Sequence, residues 1–73
     1  MIDVIEDMVD QIIAHAQTML ERKAYDWPTS RAALTRILAD LEARTLGHPG
    51  LERLRRYIVE GDEAWNADQP EAR

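Results

Sequence analysis

The sequence predicts an all-α protein, built as a small helical hairpin or three-helix unit. Apolar residues recur at alternating intervals of three and four, which is the spacing of one face of an α-helix. No stretch alternates between apolar and polar residues for long enough to indicate a strand. Three prolines and three glycines interrupt the helical pattern, so residues 1–66 are expected to form a single domain of three helical segments.

The first helix is expected over about residues 3–24. Its apolar residues follow a heptad seam, as in helices that pack along their length against another helix. The apolar stripe is broader than one neighbouring helix requires. We therefore expect it to contact helices of its own chain and a helix of a second chain. The residues predicted at this dimer interface are Ile5, Val9, Ile12, Ala16 and Met19.

The second helix is expected over about residues 30–46. Pro28 disfavours helical backbone at the preceding residue, so the first helix must end before it. Thr29 or Ser30 is a suitable N-cap, because its hydroxyl can accept a hydrogen bond from a free amide of the first turn. Gly47 follows the last apolar residues and is a favourable residue just beyond a helix end.

The third helix is expected to begin at Pro49, since proline is favoured in the first turn. Gly61 either ends this helix, giving residues 49–60, or only weakens it, giving residues 49–66. The longer form keeps Trp65 in register with the preceding apolar residues. Residues 67–73 are polar and are predicted to be a disordered tail.

The small size of the chain predicts a homodimer. A domain of this length buries only roughly 60% of the surface of its unfolded chain, so its core is small. The chain has 73 residues and no cysteine, which excludes disulfides and cysteine-based zinc sites. Its two histidines do not make a metal site by themselves, and we expect no metal or cofactor. A second subunit is the remaining common means of stabilising so small a domain.

Acidic and basic residues are segregated along the chain. Residues 1–21 carry a net charge of −5, residues 22–56 carry +4 and residues 57–73 carry −4, which gives −5 overall. A net negative charge disfavours non-specific binding to nucleic acid and to anionic membranes. The acidic first segment and the lack of a long apolar run argue against a signal peptide or a membrane span, so we expect a cytoplasmic protein.

The sequence predicts a non-catalytic protein-binding module, because the common catalytic and phosphate-binding motifs are missing. Such a protein would be a regulator, adaptor or inhibitor that occupies the surface of an unidentified partner protein. Acidic faces would steer association, and an aromatic side chain would anchor it. The candidate contact residues are Asp3, Asp7, Asp10, Tyr25, Trp27, Glu60, Asp62 and Glu63.

Two alternatives remain. Residues 39–61 superficially resemble a helix-turn-helix, a DNA-binding motif, in which Arg53, Arg55 and Arg56 would face the DNA. That motif needs a buried residue at the position of Arg53, and the net charge is unfavourable, so nucleic acid is not the expected partner. A minor alternative is an inhibitor from a phage or mobile element whose carboxylates imitate nucleic acid phosphates. The eight arginines of the chain argue against such mimicry.

Overall fold

The computed structural model describes residues 4–67, which form three α-helices joined by two short connections. These helices are α1 (Val4–Glu21), α2 (Trp27–Thr45) and α3 (Leu51–Ala67). No strand occurs among the described residues, so the predicted all-α class with three helices is confirmed. The homodimer stays a prediction.

The hydrophobic core lies where α3 packs against the other two helices. Val9 of α1 and Leu51 and Leu54 of α3 have no exposed surface. Full burial of a side chain of this size stabilises the fold by about 1.5–3 kcal/mol. α3 packs more extensively against α1 and against α2 than these two helices pack against each other, so it holds both in place. The other core residues are Ile13, Ala16, Trp27, Leu34, Leu38, Leu41 and Ile58.

The end of α1 is set by backbone conformation rather than by a glycine. Lys23 adopts a left-handed φ of 59°. Its amide donates to the Leu20 carbonyl at 3.1 Å, and the amide of Ala24 donates to the Met19 carbonyl at 2.9 Å. This is a Schellman motif, in which glycine is usual at the left-handed position. The helix therefore ends at Glu21, three residues before the predicted end. No glycine or proline stands at this position to indicate the end in the sequence.

α2 begins at Trp27, three residues earlier than the sequence predicts. Asp26 is its N-cap, and one carboxylate oxygen accepts a hydrogen bond from the Thr29 amide at 3.0 Å. Pro28 thus lies in the first turn, where amides have no helical partner and a missing N–H costs nothing. The expected break before Pro28 does not occur at Trp27, because helical backbone before proline is disfavoured but not forbidden.

α3 begins at Leu51 and continues through Gly61. Pro49 lies in the preceding turn, and the Leu51 amide donates to the His48 carbonyl at 3.0 Å. Gly61 is needed for packing: a Cβ there would lie 2.6 Å from Trp27 Cζ3 and closer still to two other ring carbons. The glycine therefore lets the indole approach the backbone of α3 and does not end the helix. Of the predicted tail, residues 68–73 lie outside the described residues.

We predict that Gly61→Ala destabilises the protein by about 1–3 kcal/mol, the usual cost of overfilling a packed site. In an open helical position the same change would stabilise by about 1 kcal/mol, because alanine is the better helix former. The free energy of unfolding from urea titration, followed by circular dichroism, measures the difference.

Two controls separate packing from helix propensity. Ala64→Gly, at an exposed position of the same helix, should cost only the propensity difference of about 1 kcal/mol. In a Trp27→Leu background, Gly61→Ala should become neutral or stabilising, since the ring that meets the new methyl group is gone. An equal loss of stability with and without Trp27 would show that the contact is not the cause.

Candidate functional site

An apolar groove of about 630 Å³ opens between α1 and α2. We call it the α1–α2 groove. None of its lining residues is Asp, Glu, Lys or Arg, although such residues make up 32% of the chain. The residues that line it are Met8, Gln11, Ile12, His15, Ala16, Met19, Tyr25, Thr29, Ser30, Ala33, Leu34 and Ile37.

Both walls of the groove combine large and small side chains. α1 contributes Met8, Ile12 and Met19 with the small Ala16, and α2 contributes Ile37 with the small Ser30 and Ala33. Ile37 lies at the edge of the groove and keeps 37% of its surface exposed.

The structure divides the predicted dimer seam into two parts. Val9 has no exposed surface and Ala16 is buried, so both contribute to the core of their own chain. Ile12 and Met19 are partly exposed and line the groove, while Ile5 is partly buried against the core. Only the outer part of the seam is therefore available to a second molecule.

Trp27 and Asp62, both candidate partner contacts, bind each other instead. Trp27 is 6% exposed, and its Nε1 donates to Asp62 Oδ1 at 2.8 Å. Arg31 Nε donates to the two oxygens of the same carboxylate at 2.8 and 2.9 Å. As a correction to the sequence interpretation, Trp27 is a core residue rather than an exposed anchor, and Asp62 belongs to the junction of α2 with α3.

This junction explains an acidic residue near the C-terminal end of α3, where the helix dipole disfavours negative charge. The hydrogen bond from Trp27, and then that from Arg31, lowers the pKa of the Asp62 carboxyl. The carboxylate also lies beside the first turns of α2, whose dipole favours an anion. Hydrogen bonds from Thr29 likewise lower the pKa of Asp26, the N-cap of α2.

The other acidic candidates do not form one site. Asp10 forms an ion pair with Arg53 of α3. Asp7 lies on α1 and is hydrogen-bonded to Gln11 at 3.0 Å, far along the chain from the exposed acids of α3. Those exposed acids are Glu60 and Glu63. Asp3 lies outside the described residues.

Tyr25 is the aromatic candidate that remains accessible, with 50% of its surface exposed. It lines the α1–α2 groove and also a smaller pocket of about 310 Å³. Trp65 lines that smaller pocket too and is partly exposed. Tyr25 therefore lies where a bound molecule could leave the groove and contact a second aromatic surface.

The arginines of the DNA-binding alternative are largely used within the chain. Arg53 pairs with Asp10, and Arg55 pairs with Glu42 of α2 and with Glu52 at 3.1 Å. Pairing with carboxylates reduces the positive potential that attracts phosphates. Arg56 is exposed, but one free cation does not make a DNA-binding face, so this arrangement disfavours the alternative.

Sequence reasoning singled out Tyr25 and, of the two helical walls of the groove, only that of α1. The signal was the breadth of the apolar stripe on that helix, which exceeds what one neighbour can cover. The α2 wall gave no signal, because Thr29, Ser30 and Ala33 are small residues that occur on any helix surface. Ile37 follows the same spacing as the core residues of α2, and only its exposure in the structure separates it from them.

Two further kinds of site find no support within residues 4–67. No three His, Asp or Glu side chains there gather into a group that could hold a metal ion. None of the described helices is both long enough and apolar enough to cross a membrane.

Comparison with known proteins identifies no relative: no family model, curated protein or solved structure matches this chain. A function must therefore be argued from the groove and its surroundings.

We predict that acid weakens the fold partly through Asp62. The pKa of its carboxyl is lower in the folded chain than in the unfolded one. The carboxylate therefore contributes fully to stability at a pH above the ordinary pKa of about 3.9. This contribution is lost as the pH falls through the pKa of the folded chain. Asp62→Asn should lower the free energy of unfolding at pH 7 and make its decline below pH 5 shallower. Urea titrations between pH 7 and pH 2.5 measure this.

Glu63→Gln is the matched control, since it removes an adjacent exposed acid of the same helix. Its pH dependence should follow that of the unaltered protein. Asp26→Asn should also flatten the decline while preserving the cap, because asparagine caps helices as well as aspartate does. An acid transition unchanged in Asp62→Asn would contradict the role assigned to this carboxylate.

Proposed function

We propose that this protein is a non-catalytic protein-binding module that acts by occupying a surface of a partner protein, with the α1–α2 groove as its own contact surface. The observation that carries the proposal is the uncharged apolar lining of an open groove on a small, highly charged chain. Contiguous apolar surface exposed to water is characteristic of interaction sites.

The groove has the properties of a site that receives apolar side chains. Ile12 and Ile37 are branched and stiff, so they offer walls of fixed shape. Met8 and Met19 are flexible and polarisable, so they can adapt to what enters. Each large apolar side chain buried there would contribute about 1.5–3 kcal/mol to binding, before the cost of association is subtracted.

The length of the groove favours a helical segment as the occupant. Its α1 wall extends from Met8 to Met19, which corresponds to about 16 Å along a helix. Amphipathic helices bind such grooves through side chains spaced three and four residues apart. Gln11 and His15 are polar groups of the lining, available to hydrogen-bond the rim of an inserted helix.

Homodimerisation belongs to the same proposal, because Ile12 and Met19 of the predicted dimer seam line the groove. A role as regulator, adaptor or inhibitor, and a place in the cytoplasm, are parts of the proposal that rest on size, charge and the missing catalytic motifs. No observation favours DNA binding or nucleic acid mimicry as a second function.

We predict that Ile37→Asp abolishes partner binding while leaving the fold intact. The side chain is partly exposed, so a carboxylate can remain hydrated in the free protein, but any molecule seated in the groove would bury it. The measurement is affinity capture from a nuclease-treated lysate of the source cells with the tagged protein, read by quantitative mass spectrometry.

Val59→Asp is the matched control: it introduces the same charge at an exposed branched residue, on α3 and outside the groove. Proteins retained by the unaltered chain and by Val59→Asp, but lost with Ile37→Asp, are the partners that the proposal expects. Equal circular dichroism spectra would show that all three chains are folded. An identical set of proteins on all three would contradict the groove as the binding surface.

A further inference from the structure

We infer that the occupant of the α1–α2 groove is α1 of a second copy of this chain, antiparallel to the first across a two-fold axis. The inference rests on the proposed function and names the partner of the same site. It follows from two properties of the described residues: the shapes of the two groove walls, and the distribution of charge along α1.

Across a two-fold axis, the α1 wall of one copy faces the α2 wall of the other, and the two are complementary in shape. The α1 wall presents the large side chains Met8, Ile12 and Met19 beside Ala16, and the α2 wall has the small residues Ser30 and Ala33 beside Leu34 and Ile37. A two-fold axis places the large α1 side chains of each copy against the small residues of the other, so that one contact is made twice. Small residues let helices approach closely, as an interface between helices requires.

The charges along α1 select the antiparallel orientation. The first turns carry Glu6, Asp7 and Asp10, of which Asp10 is already paired with Arg53, and Arg22 and Lys23 follow Glu21 at the other end. Two parallel copies would place like charges side by side. Two antiparallel copies bring the acidic end of each to the basic end of the other, and they also oppose the two helix dipoles.

The exposed residues Asp7 and Arg22 are placed to make this contact. Asp7 precedes the lining residue Gln11 by four positions, and Arg22 follows the lining residue Met19 by three, so both flank the groove. A two-fold axis between Ile12 and His15 puts Asp7 within about one helical turn of Arg22 of the partner subunit. Residues 1–21 alone carry a charge of −5, so two copies of α1 repel each other overall. This repulsion is screened over about 8 Å at physiological ionic strength, and burial of the apolar groove residues has to exceed it.

The test is the dimer dissociation constant, measured by sedimentation equilibrium from 1 to 500 μM in 150 mM salt. The unaltered chain should dimerise within this range, and Ile37→Asp should be monomeric. Asp7→Lys should weaken the dimer about tenfold, because two attractive pairs become repulsive and each exposed pair is worth a fraction of 1 kcal/mol. Asp7→Lys with Arg22→Glu in one chain should restore the affinity.

Glu63→Lys is the matched control, since it changes the net charge by the same amount on α3, outside the groove. It should leave the dissociation constant within about twofold of that of the unaltered chain, as expected for an exposed charge away from a contact. An equal weakening by Glu63→Lys and Asp7→Lys would overturn the assignment, because the effect would then come from net charge alone.

The other outcomes separate this inference from the proposed function. A chain that stays monomeric to 500 μM overturns the inference, yet the proposed function stands if Ile37→Asp still loses a captured protein. A dimer unaffected by Ile37→Asp shows that self-association uses another surface. A dimer strengthened by Asp7→Lys shows a parallel pairing, in which the aspartates of the two copies repel each other.

Discussion

The contact between the Trp27 ring and the backbone of Gly61 is the constraint on which the rest of the structure depends. It holds the beginning of α2 against the second half of α3 and brings Asp62 within hydrogen-bonding distance of Trp27 and Arg31. Tyr57 packs edge-on against the same indole, with ring centroids 6.2 Å apart and an interplanar angle of 76°. The Trp27 indole, the missing side chain of Gly61 and the Asp62 carboxylate therefore fix the junction of α2 with α3 together.

The groove is a consequence of how α3 holds its neighbours. Val9, Leu51 and Leu54 draw α1 and α3 together, while the Trp27 junction draws α2 onto α3. α1 and α2 thus pack well against the same helix, yet part of their facing surfaces stays open to solvent. That surface is the α1–α2 groove, and its uncharged lining is the reason to propose protein binding rather than catalysis.

The segregation of charge along the sequence serves contacts between helices. Arg53 and Arg31 of the basic segment reach Asp10 and Asp62 of the two acidic segments, and Arg55 pairs with Glu42 within the basic segment itself. Exposed pairs of this kind contribute at most about 1 kcal/mol each, so they orient helices that burial has already brought together. The same pairs occupy arginines that would otherwise suggest DNA binding. Asp7 and Arg22 lie beside the groove, where the proposed dimer would place them opposite each other.

The sequence by itself determined the helical class, the three segments and the apolar stripe of α1, because these depend on local spacing and on prolines and glycines between helices. It did not determine where α1 ends, because the left-handed φ of Lys23 is unusual for a residue other than glycine. Nor did it determine the role of Gly61. In the sequence this glycine could either end the third helix or only weaken it, whereas in the fold it makes room for the Trp27 ring. The α2 wall of the groove was equally invisible, because Ser30 and Ala33 become part of a site only when α3 positions α1 opposite them.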